Sequence, residues 1–382
     1  MKILAAVYSH PEYYPPTQNA IAQLSSVAKE IIVISRNVKD TEGVYPKNVR
    51  LIKTGRFKPI RESEQSSLIW KVTSFIVFTY TLFKCVRKQK PEWVIAYDPI
   101  PLLAYSLAFR LLRKKPKLWY HNHDVLEPNT LKKYSVSWFA YRNEQNYFGK
   151  IDLFSLPSEE RKQFFPMEKL KGQYFFIPNY PSILTDTKKI NNQSGTKKII
   201  KLIYQGHIGE GHGLNEVINF LKLEKTGLEI SLTIIGHAND NFKDSLISLI
   251  NELDLQNKVK ILDPLPYQRL LSLTKQHDVG LAIHQPVNIA FRTAATSSNK
   301  IYEYLACGMP VILYDHASYR IPLNNRNWAY FTDLTLDSLG KILTEISGNF
   351  EKVSHQAESD FKNELNFERY FSLAKQYIFN KV

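Results

Sequence analysis

The chain has 382 residues, which is enough for two domains of ordinary size. Its 44% apolar and 23% charged residues are typical of a globular protein and exclude wholesale disorder. Fifty Lys and Arg against 36 Asp and Glu give a net charge of +14. Such a surplus favours an anionic partner: nucleic acid, an anionic membrane or a phosphorylated substrate.

The two cysteines, Cys85 and Cys307, lie in unrelated sequence contexts. They form neither a disulfide framework nor a metal-binding spacing, which fits a reducing compartment. The N-terminal run MKILAAVYSH is too short for the apolar region of a signal peptide and lacks a small-residue cleavage site. We therefore expect a first strand here and a cytoplasmic protein.

The first half alternates apolar strand-like runs with helical patterns. Lys2–Tyr8 and Ile31–Ile34 predict strands, and the apolar residues between them, from Ala20 to Ala28, recur at helical spacing. The alternation returns in strands at Trp93–Tyr97 and Leu118–Tyr120 with a helix at Leu102–Leu112 between them. This order indicates an α/β fold with a parallel sheet and crossover helices.

The loop after the first predicted strand contains His10, Tyr13 and Tyr14 among three prolines. Ligands of open α/β sheets bind at the carboxyl ends of the strands. The loop is therefore a candidate wall of a ligand cleft; the alternative is a rigid turn without a ligand.

Residues 67–83, SLIWKVTSFIVFTYTLF, are strongly apolar and are followed by Lys84, Arg87 and Lys88. The run falls short of the roughly 20 residues that a helix needs to span a bilayer, and Lys71 interrupts it. We expect a helix packed on the sheet. The alternative is a helix whose outer face touches an anionic membrane, since apolar helices with basic flanks bind such surfaces.

The predicted strand at Leu118–Tyr120 runs into His121-Asn122-His123-Asp124. An imidazole paired with a carboxylate titrates near neutrality and can act as a general base. The pattern His-x-His-Asp could also chelate a metal, but no further His or Cys lies nearby in the sequence to complete a zinc site. We expect one of the two histidines to be structural.

Residues 180–198 are polar and contain Gly and Ser, a composition typical of linkers. We place the linker at 181–198 and the second domain at 199–364. This domain begins with a predicted strand, Ile199–Gln205, and a loop with four glycines that starts at Gly206. Glycines between a strand and a helix let the backbone approach a phosphate, although the spacing matches neither a dinucleotide-binding nor a Walker motif.

The segment Thr293–Leu313, TAATSSNKIYEYLACGMPVIL, predicts a loop, a short helix, a glycine cap at Gly308 and a strand. The helix start carries hydroxyls, an amide and a cation, in Ser297, Ser298, Asn299 and Lys300. Free N–H groups and positive charge at a helix N-terminus stabilise a phosphate. The alternative is an ordinary buried helix with Lys300 and Glu303 as an i,i+3 pair.

The run NKIYEYLACGMPVI within this segment resembles the nucleotide-sugar-binding helix of the GT-B glycosyltransferases (group 1, or family 4-like), most specifically in its Glu-Tyr-Leu-Ala-x-Gly-x-Pro-Val core. The likeness covers nearly the whole chain. It implies two Rossmann-like domains facing across a cleft: an acceptor domain at 1–180 and a nucleotide-sugar donor domain at 199–364. It also implies that the C-terminal helix, about 365–382, packs back on the first domain.

On the donor side, the resemblance implies that Glu303 holds the nucleotide ribose and that the turn around Leu265 passes the base. His207 and His212 stand where the family usually has an Arg and a Lys beside the diphosphate. Because histidines are mostly neutral above about pH 6.5, Lys300 is expected to supply charge.

On the acceptor side, His123 and Asp124 match a histidine followed by an acidic residue near the sugar and the acceptor. The loop with His10, Tyr13 and Tyr14 matches a loop that borders the acceptor. Many retaining relatives also have a carboxylate eight positions before the one matched by Glu303, but this chain has Ala295 there. The departure favours an inverting enzyme, with His123 as base and Asp124 as its support.

The sequence thus predicts a metal-independent hexosyltransferase that needs no cofactor and moves a sugar from a nucleotide-diphosphate sugar to a saccharide or lipid-linked acceptor in bacterial-type surface polysaccharide assembly. We expect it in the cytoplasm, with a peripheral position on the inner face of the membrane as the alternative. A GT-B nucleotide-sugar epimerase is the first alternative function. A basic nucleic-acid-binding protein is more distant, because no recognition motif supports it, and no nucleic-acid partner is expected.

Overall fold

The computed structural model of the protein describes residues 1–39, 43, 45–110, 115–183, 197–238 and 240–380. The chain divides into two compact units, Met1–Asn179 with Phe367–Val382, and Tyr180–Asn366. Most of the linker predicted at 181–198 falls on residues 184–196, which lie outside the described residues.

The first unit contains a parallel sheet in the strand order β3-β2-β1-β4-β5-β6-β7. Its strands are β1 (Lys2–Val7), β2 (Glu30–Arg36), β3 (Val49–Thr54), β4 (Trp93–Tyr97), β5 (Lys117–His121), β6 (Leu153–Leu156) and β7 (Gln173–Phe176). Every residue of β4 is buried, as expected when helices cover both faces of a parallel sheet.

Helices connect these strands. They are α1 (Pro15–Ser25), α2 (Ile60–Glu64), α3 (Leu68–Gln89), α4 (Pro99–Phe109) and α5 (Val136–Tyr147). Helix α1 has prolines in its first turn, where a missing N–H costs nothing, and α3 begins at Ser67, whose side chain caps the N–H of Trp70. Pro15 and Pro16 of the predicted loop therefore begin a helix.

The second unit contains a parallel sheet in the order β10-β9-β8-β11-β12-β13. Its strands are β8 (Ile199–Gln205), β9 (Glu229–Ile235), β10 (Val259–Leu262), β11 (Val279–Ala282), β12 (Val311–Tyr314) and β13 (Ala329–Thr332). Its helices are α6 (Leu214–Leu223), α7 (Asp240–Glu252), α8 (Tyr267–Thr274), α9 (Ile289–Arg292), α10 (Ala294–Ser297), α11 (Asn299–Ala306), α12 (Ala317–Leu323) and α13 (Leu336–Asn363). The α/β prediction with parallel sheets is confirmed.

The last helix, α14 (Phe367–Asn380), belongs to the first unit. It buries Phe367, Phe371 and Ile378 in the core formed by β1, β2, β4 and α1. The ring of Phe371 stacks on Trp119 of β5 with centroids 5.7 Å apart. The period of its apolar residues places all of these side chains on one face of the helix.

Helix α3 is long and apolar enough, by length and composition, to cross a membrane, yet one of its faces packs on the first unit. Phe75, Phe78, Leu82 and Val86 are buried against the sheet and its neighbouring helices. The predicted helix on the sheet is confirmed, and it extends to Gln89. Its opposite face is exposed.

Candidate functional site

In each sheet the strand order reverses between one pair of neighbouring strands. The pair is β1 and β4 in the first unit and β8 and β11 in the second. At such a point the connections on either side leave toward opposite faces, which opens a crevice at the carboxyl ends of the strands. Most of the polar groups described below lie in and after these four strands and in the loop after β5, which pairs with β4.

Asp98 follows β4 directly and has a left-handed backbone, with φ of 73°. This conformation costs a residue other than glycine about 1–3 kcal/mol. Its carboxylate oxygen Oδ1 accepts the backbone N–H of His123 at 2.7 Å and of Asp124 at 3.2 Å. These bonds tie the end of β4 to the loop after β5. Burial, and then the nearby Asp124 carboxylate, raise the pKa of Asp98 to about 7.

The His123 ring is enclosed on every side. It stacks between Tyr14 and Tyr97, with centroids 5.5 and 5.6 Å away and nearly parallel planes. Its Nε2 lies 2.9 Å from Thr17 Oγ1, and its Nδ1 lies 3.2 Å from Nε2 of His121. Burial, helped by the charge of Arg161, lowers the pKa of His123 to about 3. At neutral pH this is an uncharged imidazole.

His121, which the resemblance does not include, completes this network. Its Nδ1 lies 2.6 Å from Ser155 Oγ of β6, and burial holds its pKa well below the usual range. Arg161 is also buried and donates a hydrogen bond to the carbonyl of His123. The loop is therefore fixed by contacts from three strands and from Arg161.

A cavity of about 580 Å³ opens in the first unit beside Tyr14. Its wall combines aromatic, basic and hydroxyl side chains, including Tyr8, Arg36, Lys71, Thr130 and Ser135. Such a lining suits a polar, anionic or sugar-containing molecule. Of the three residues predicted on the acceptor side, Tyr14 lines this cavity.

The other two predicted acceptor-side residues differ in exposure. His10 is fully buried, and its Nδ1 accepts the N–H of Glu12 at 3.4 Å. Tyr13 is 42% exposed, and its ring meets the edge of His10 at 6.2 Å. In the described structure His10 thus shapes the loop, while Tyr13 offers a surface to solvent.

In the second unit, the glycines after β8 allow a close approach of side chains. Gly206 has φ of 120°, and a Cβ there would lie 2.9 Å from Lys300 Nζ. Gly213 has φ of 67° and precedes the first turn of α6. The backbone of this loop therefore meets the side chain of Lys300 directly because residue 206 has no side chain.

The Tyr204 hydroxyl lies at the centre of a cluster of potential phosphate ligands. It is hydrogen-bonded to Nδ1 of His212 and lies 3.3 Å from Nε2 of His284. It also accepts a hydrogen bond of 3.3 Å from Lys300. The Nζ of Lys300 also lies 2.9 Å from Nε2 of His284. His207, predicted beside the diphosphate, is exposed at the edge of the cluster, its ring 5.7 Å from that of His212.

Burial sets the charges of this cluster. It lowers the pKa of Lys300 to about 7 and, with help from the lysine charge, the pKa of His212 to about 4. The pKa of His284 is held well below its usual range for the same reasons. An arriving anion would stabilise the protonated forms, so binding and proton uptake are coupled at this site.

Glu303 lies on α11 and is almost fully buried. Its Oε2 accepts a hydrogen bond of 2.5 Å from Gln205, and Gln205 in turn accepts one of 2.7 Å from Thr274. Burial raises the pKa of Glu303 to about 7, although hydrogen bonds from Tyr267 and Gln205 oppose this shift. The predicted contact with a ribose stays a prediction.

The remaining predicted donor residues surround the start of α11. Ser298 precedes the helix, Asn299 is its first residue, and Ser297 donates its hydroxyl hydrogen to the carbonyl of Thr293 at 2.8 Å. Leu265 is 37% exposed in the turn before α8. Their contacts with a nucleotide sugar stay predictions.

Among the described residues, no group of three or more His, Cys, Asp and Glu is placed to hold a metal ion.

The sequence interpretation missed Asp98, Tyr204 and His284. Each lies at or next to the carboxyl end of β4, β8 or β11, which are strands at the point where the strand order reverses. That position is the signal that identifies them. Recognising that position requires the order of the strands in the sheet, and local sequence patterns do not show this order.

Comparison with known proteins gives a match to one family model over part of the chain and a shared fold over the whole of it. Residues 186–327 match the family model described as glycosyl transferases group 1. Sucrose-phosphate synthase from Thermosynechococcus elongatus has a similar structure, with a TM-score of 0.71 at 11% identity and 100% of both chains covered.

Two further structures are similar. Anabaena HepE in complex with UDP and glucose has a TM-score of 0.68 at 14% identity, with 100% of both chains covered. WaaG, a glycosyltransferase involved in lipopolysaccharide biosynthesis, has a TM-score of 0.66 at 12% identity, covering 98% of this chain and 99% of that one. No curated protein matches. At these identities the structural likeness establishes the GT-B fold, as the sequence predicted.

Proposed function

We propose that this chain, a GT-B-fold protein that matches the group 1 glycosyltransferases over residues 186–327, transfers a hexose from a nucleotide-diphosphate sugar to a saccharide or lipid-linked acceptor. The observation that carries the proposal is the cluster of Lys300, His212, His284 and Tyr204 around the glycine loop. A buried lysine with hydrogen-bonding imidazole and hydroxyl groups, beside a loop whose glycines expose the backbone, suits a diphosphate.

The leaving group explains why a cationic cluster helps the reaction. As the bond between sugar and phosphate breaks, negative charge grows on the diphosphate. Protonated Lys300 donates hydrogen bonds to it, and the N–H groups at the start of α11 add their partial positive charge. Residues 297–300 and His207 are proposed to complete this binding site, Glu303 to hold the ribose and Leu265 to border the base.

Proton removal from the acceptor is assigned to the first unit. The sequence predicts His123 as the base, supported by Asp124. The ring nitrogens of His123 are hydrogen-bonded and its pKa is about 3, so it would be a weak base. We propose that Asp98, with a pKa of about 7, takes the proton and that His123 and Asp124 position it. Tyr14 is proposed at the acceptor, with Tyr13 and His10 shaping the adjoining loop.

The biological setting is proposed as surface polysaccharide assembly in the cytoplasm. WaaG, which has a similar fold, is involved in lipopolysaccharide biosynthesis, and HepE was solved with UDP and glucose. UDP-glucose is accordingly the first donor to test. The reaction is proposed to need neither a metal nor a cofactor.

The test is a thermal-shift screen with UDP, GDP, ADP and CMP, followed by incubation with the matching sugar nucleotides. We expect one nucleoside diphosphate to raise Tm and its sugar nucleotide to donate to a saccharide acceptor. Interconversion of the sugar without an acceptor would instead identify an epimerase. Much tighter binding of mixed nucleic acid than of any nucleotide would contradict both.

A further inference from the structure

The outward face of helix α3 carries an uncovered apolar stripe. Ile69, Ile76 and Tyr80 follow one another along this face and are 79%, 59% and 62% exposed. Leu68, Val72 and Val77 flank them and are also exposed. Side chains spaced by three, four and seven residues share one side of a helix, so these residues form a single surface, which we call the α3 stripe.

The same helix continues into a basic segment. Lys84, Arg87 and Lys88 are exposed near its C-terminal end, and α3 contains no acidic residue. Lys84 and Arg87 lie on the side of the α3 stripe, since they follow Tyr80 by four and seven residues. From Ile69 to Tyr80 the apolar part extends about 16 Å, at 1.5 Å per residue.

The α3 stripe also adjoins the cavity beside Tyr14. Leu68 and Lys71, in the first turn of α3, line that cavity. Trp70, Thr73 and Val77 line a second cavity of about 310 Å³ together with Arg36 and Arg56. Phe57, in the loop next to Arg56, is 50% exposed. An apolar surface therefore borders basic cavities of the size that a polar head group needs.

We propose that the α3 stripe and the basic segment dock this protein on an anionic lipid bilayer. The apolar side chains enter the boundary between head groups and acyl chains, and the basic segment contacts the anionic head groups. Docking presents the cavity beside Tyr14 to the head group of a lipid-linked acceptor. This acceptor class rests on the proposed transfer reaction, whereas bilayer docking does not.

Charge favours a bilayer over the other possible occupants. In a dimer formed through this face, the basic segment of one copy would lie near that of the other, and each copy carries a net charge of +14. Like charges oppose such an association. A membrane-spanning α3 would have to withdraw Phe75, Phe78, Leu82 and Val86 from the core. Docking on a surface leaves that face packed.

The test is sedimentation of the full-length protein with phosphatidylcholine vesicles, with and without phosphatidylglycerol. We expect binding only with the anionic lipid and weaker binding at high salt. A K84A/R87A/K88A variant should bind about 100-fold more weakly, since each basic residue near an anionic surface contributes about fivefold. An I69S/I76S variant should bind more weakly by at least tenfold. The matched control is K150A/K169A/K171A, which removes the same charge elsewhere on the first unit and should bind almost normally.

Three results would overturn the proposal. They are equal vesicle binding by the α3 variants and the control, resistance of the bound protein to alkaline extraction, and a dimer that I69S/I76S dissociates. Nucleoside diphosphate binding, measured separately by thermal shift, should be unchanged in all of these variants. A loss of vesicle binding with intact nucleotide binding therefore tests the docking surface alone, and absent nucleotide binding in the unmodified protein would contradict the proposed function alone.

Discussion

Both units place histidines at the carboxyl ends of their parallel strands but surround them with opposite charges. In the first unit, His121 ends β5 and its ring meets that of His123, whose backbone N–H donates to Asp98 after β4. In the second, His212 and His284 lie next to Lys300, after β8 and β11. Burial lowers the pKa of the histidines in both clusters.

The same burial shifts the neighbouring charged groups in opposite directions. It raises the pKa of Asp98 to about 7 and lowers that of Lys300 to about 7. The carboxylate thereby becomes able to take a proton near neutrality, and the ammonium becomes able to gain charge when an anion arrives. Two similar sheets thus supply different chemistry through the residues at their strand ends.

The largest expected effect concerns the first cluster. Asn at position 98 keeps an oxygen that can accept the two backbone N–H groups but cannot take a proton. If Asp98 is the base, Asp98→Asn should lower kcat by about 10²–10⁴-fold and remove a titration near pH 7 from the kcat profile. His123→Phe, which keeps an aromatic ring between the two tyrosines, is the comparison. A larger loss in His123→Phe than in Asp98→Asn would return the role of base to His123.

In the second cluster, Lys300→Ala should lower kcat/KM by about 10- to 150-fold, because one charge-assisted hydrogen bond contributes about 1.5–3 kcal/mol. Steady-state kinetics over a range of donor concentrations would measure it. Lys260→Ala removes an exposed lysine of β10 and serves as the control. Equal kinetics in the two variants would show that α11 is only architectural.

The pH dependence of nucleoside diphosphate binding is expected to be smaller. Below pH 7 Lys300 is already charged, so its protonation does not alter affinity. Between pH 7 and the higher pKa of the complex, affinity should fall by up to about tenfold per pH unit, because binding then requires a proton. Calorimetry in buffers of different ionisation heats should detect proton uptake. A constant affinity from pH 7 to 9 would contradict the assignment of Lys300 to the diphosphate.

The smallest effect is expected at His207. It is exposed at the edge of the cluster, and a hydrogen bond between neutral partners contributes about 0.5–1.5 kcal/mol. His207→Ala should therefore weaken donor binding by less than about tenfold. His212→Ala should cost more, because it also leaves the buried Tyr204 hydroxyl without one of its partners. Equal losses in the two variants would mean that the diphosphate lies over the loop and not within the cluster.

Local patterns predicted most of the strands that bear the sites. Strands β4 and β8 have the bounds that the apolar runs indicate, and α11 ends before Gly308, whose φ is 63°. The interpretation did not identify β3, α5 or β13. Arg50 and Lys53 interrupt the apolar run of β3, and β13 is only four residues long. Helix α5 contains many polar residues and buries only Ala140, Glu144 and Tyr147.

The sequence by itself determined the alternation of strands and helices, the short helix that ends before Gly308 and the likeness to the glycosyltransferases, because these depend on neighbours along the chain. Only the tertiary structure decided that His123 is enclosed, that Asp98 and Lys300 have pKa values near neutrality, and that His284 joins Lys300. The physical reason is that burial and proximity arise from strand order. Tyr204 and Lys300, for example, are 96 positions apart and meet because β8, which carries Tyr204, lies beside β11.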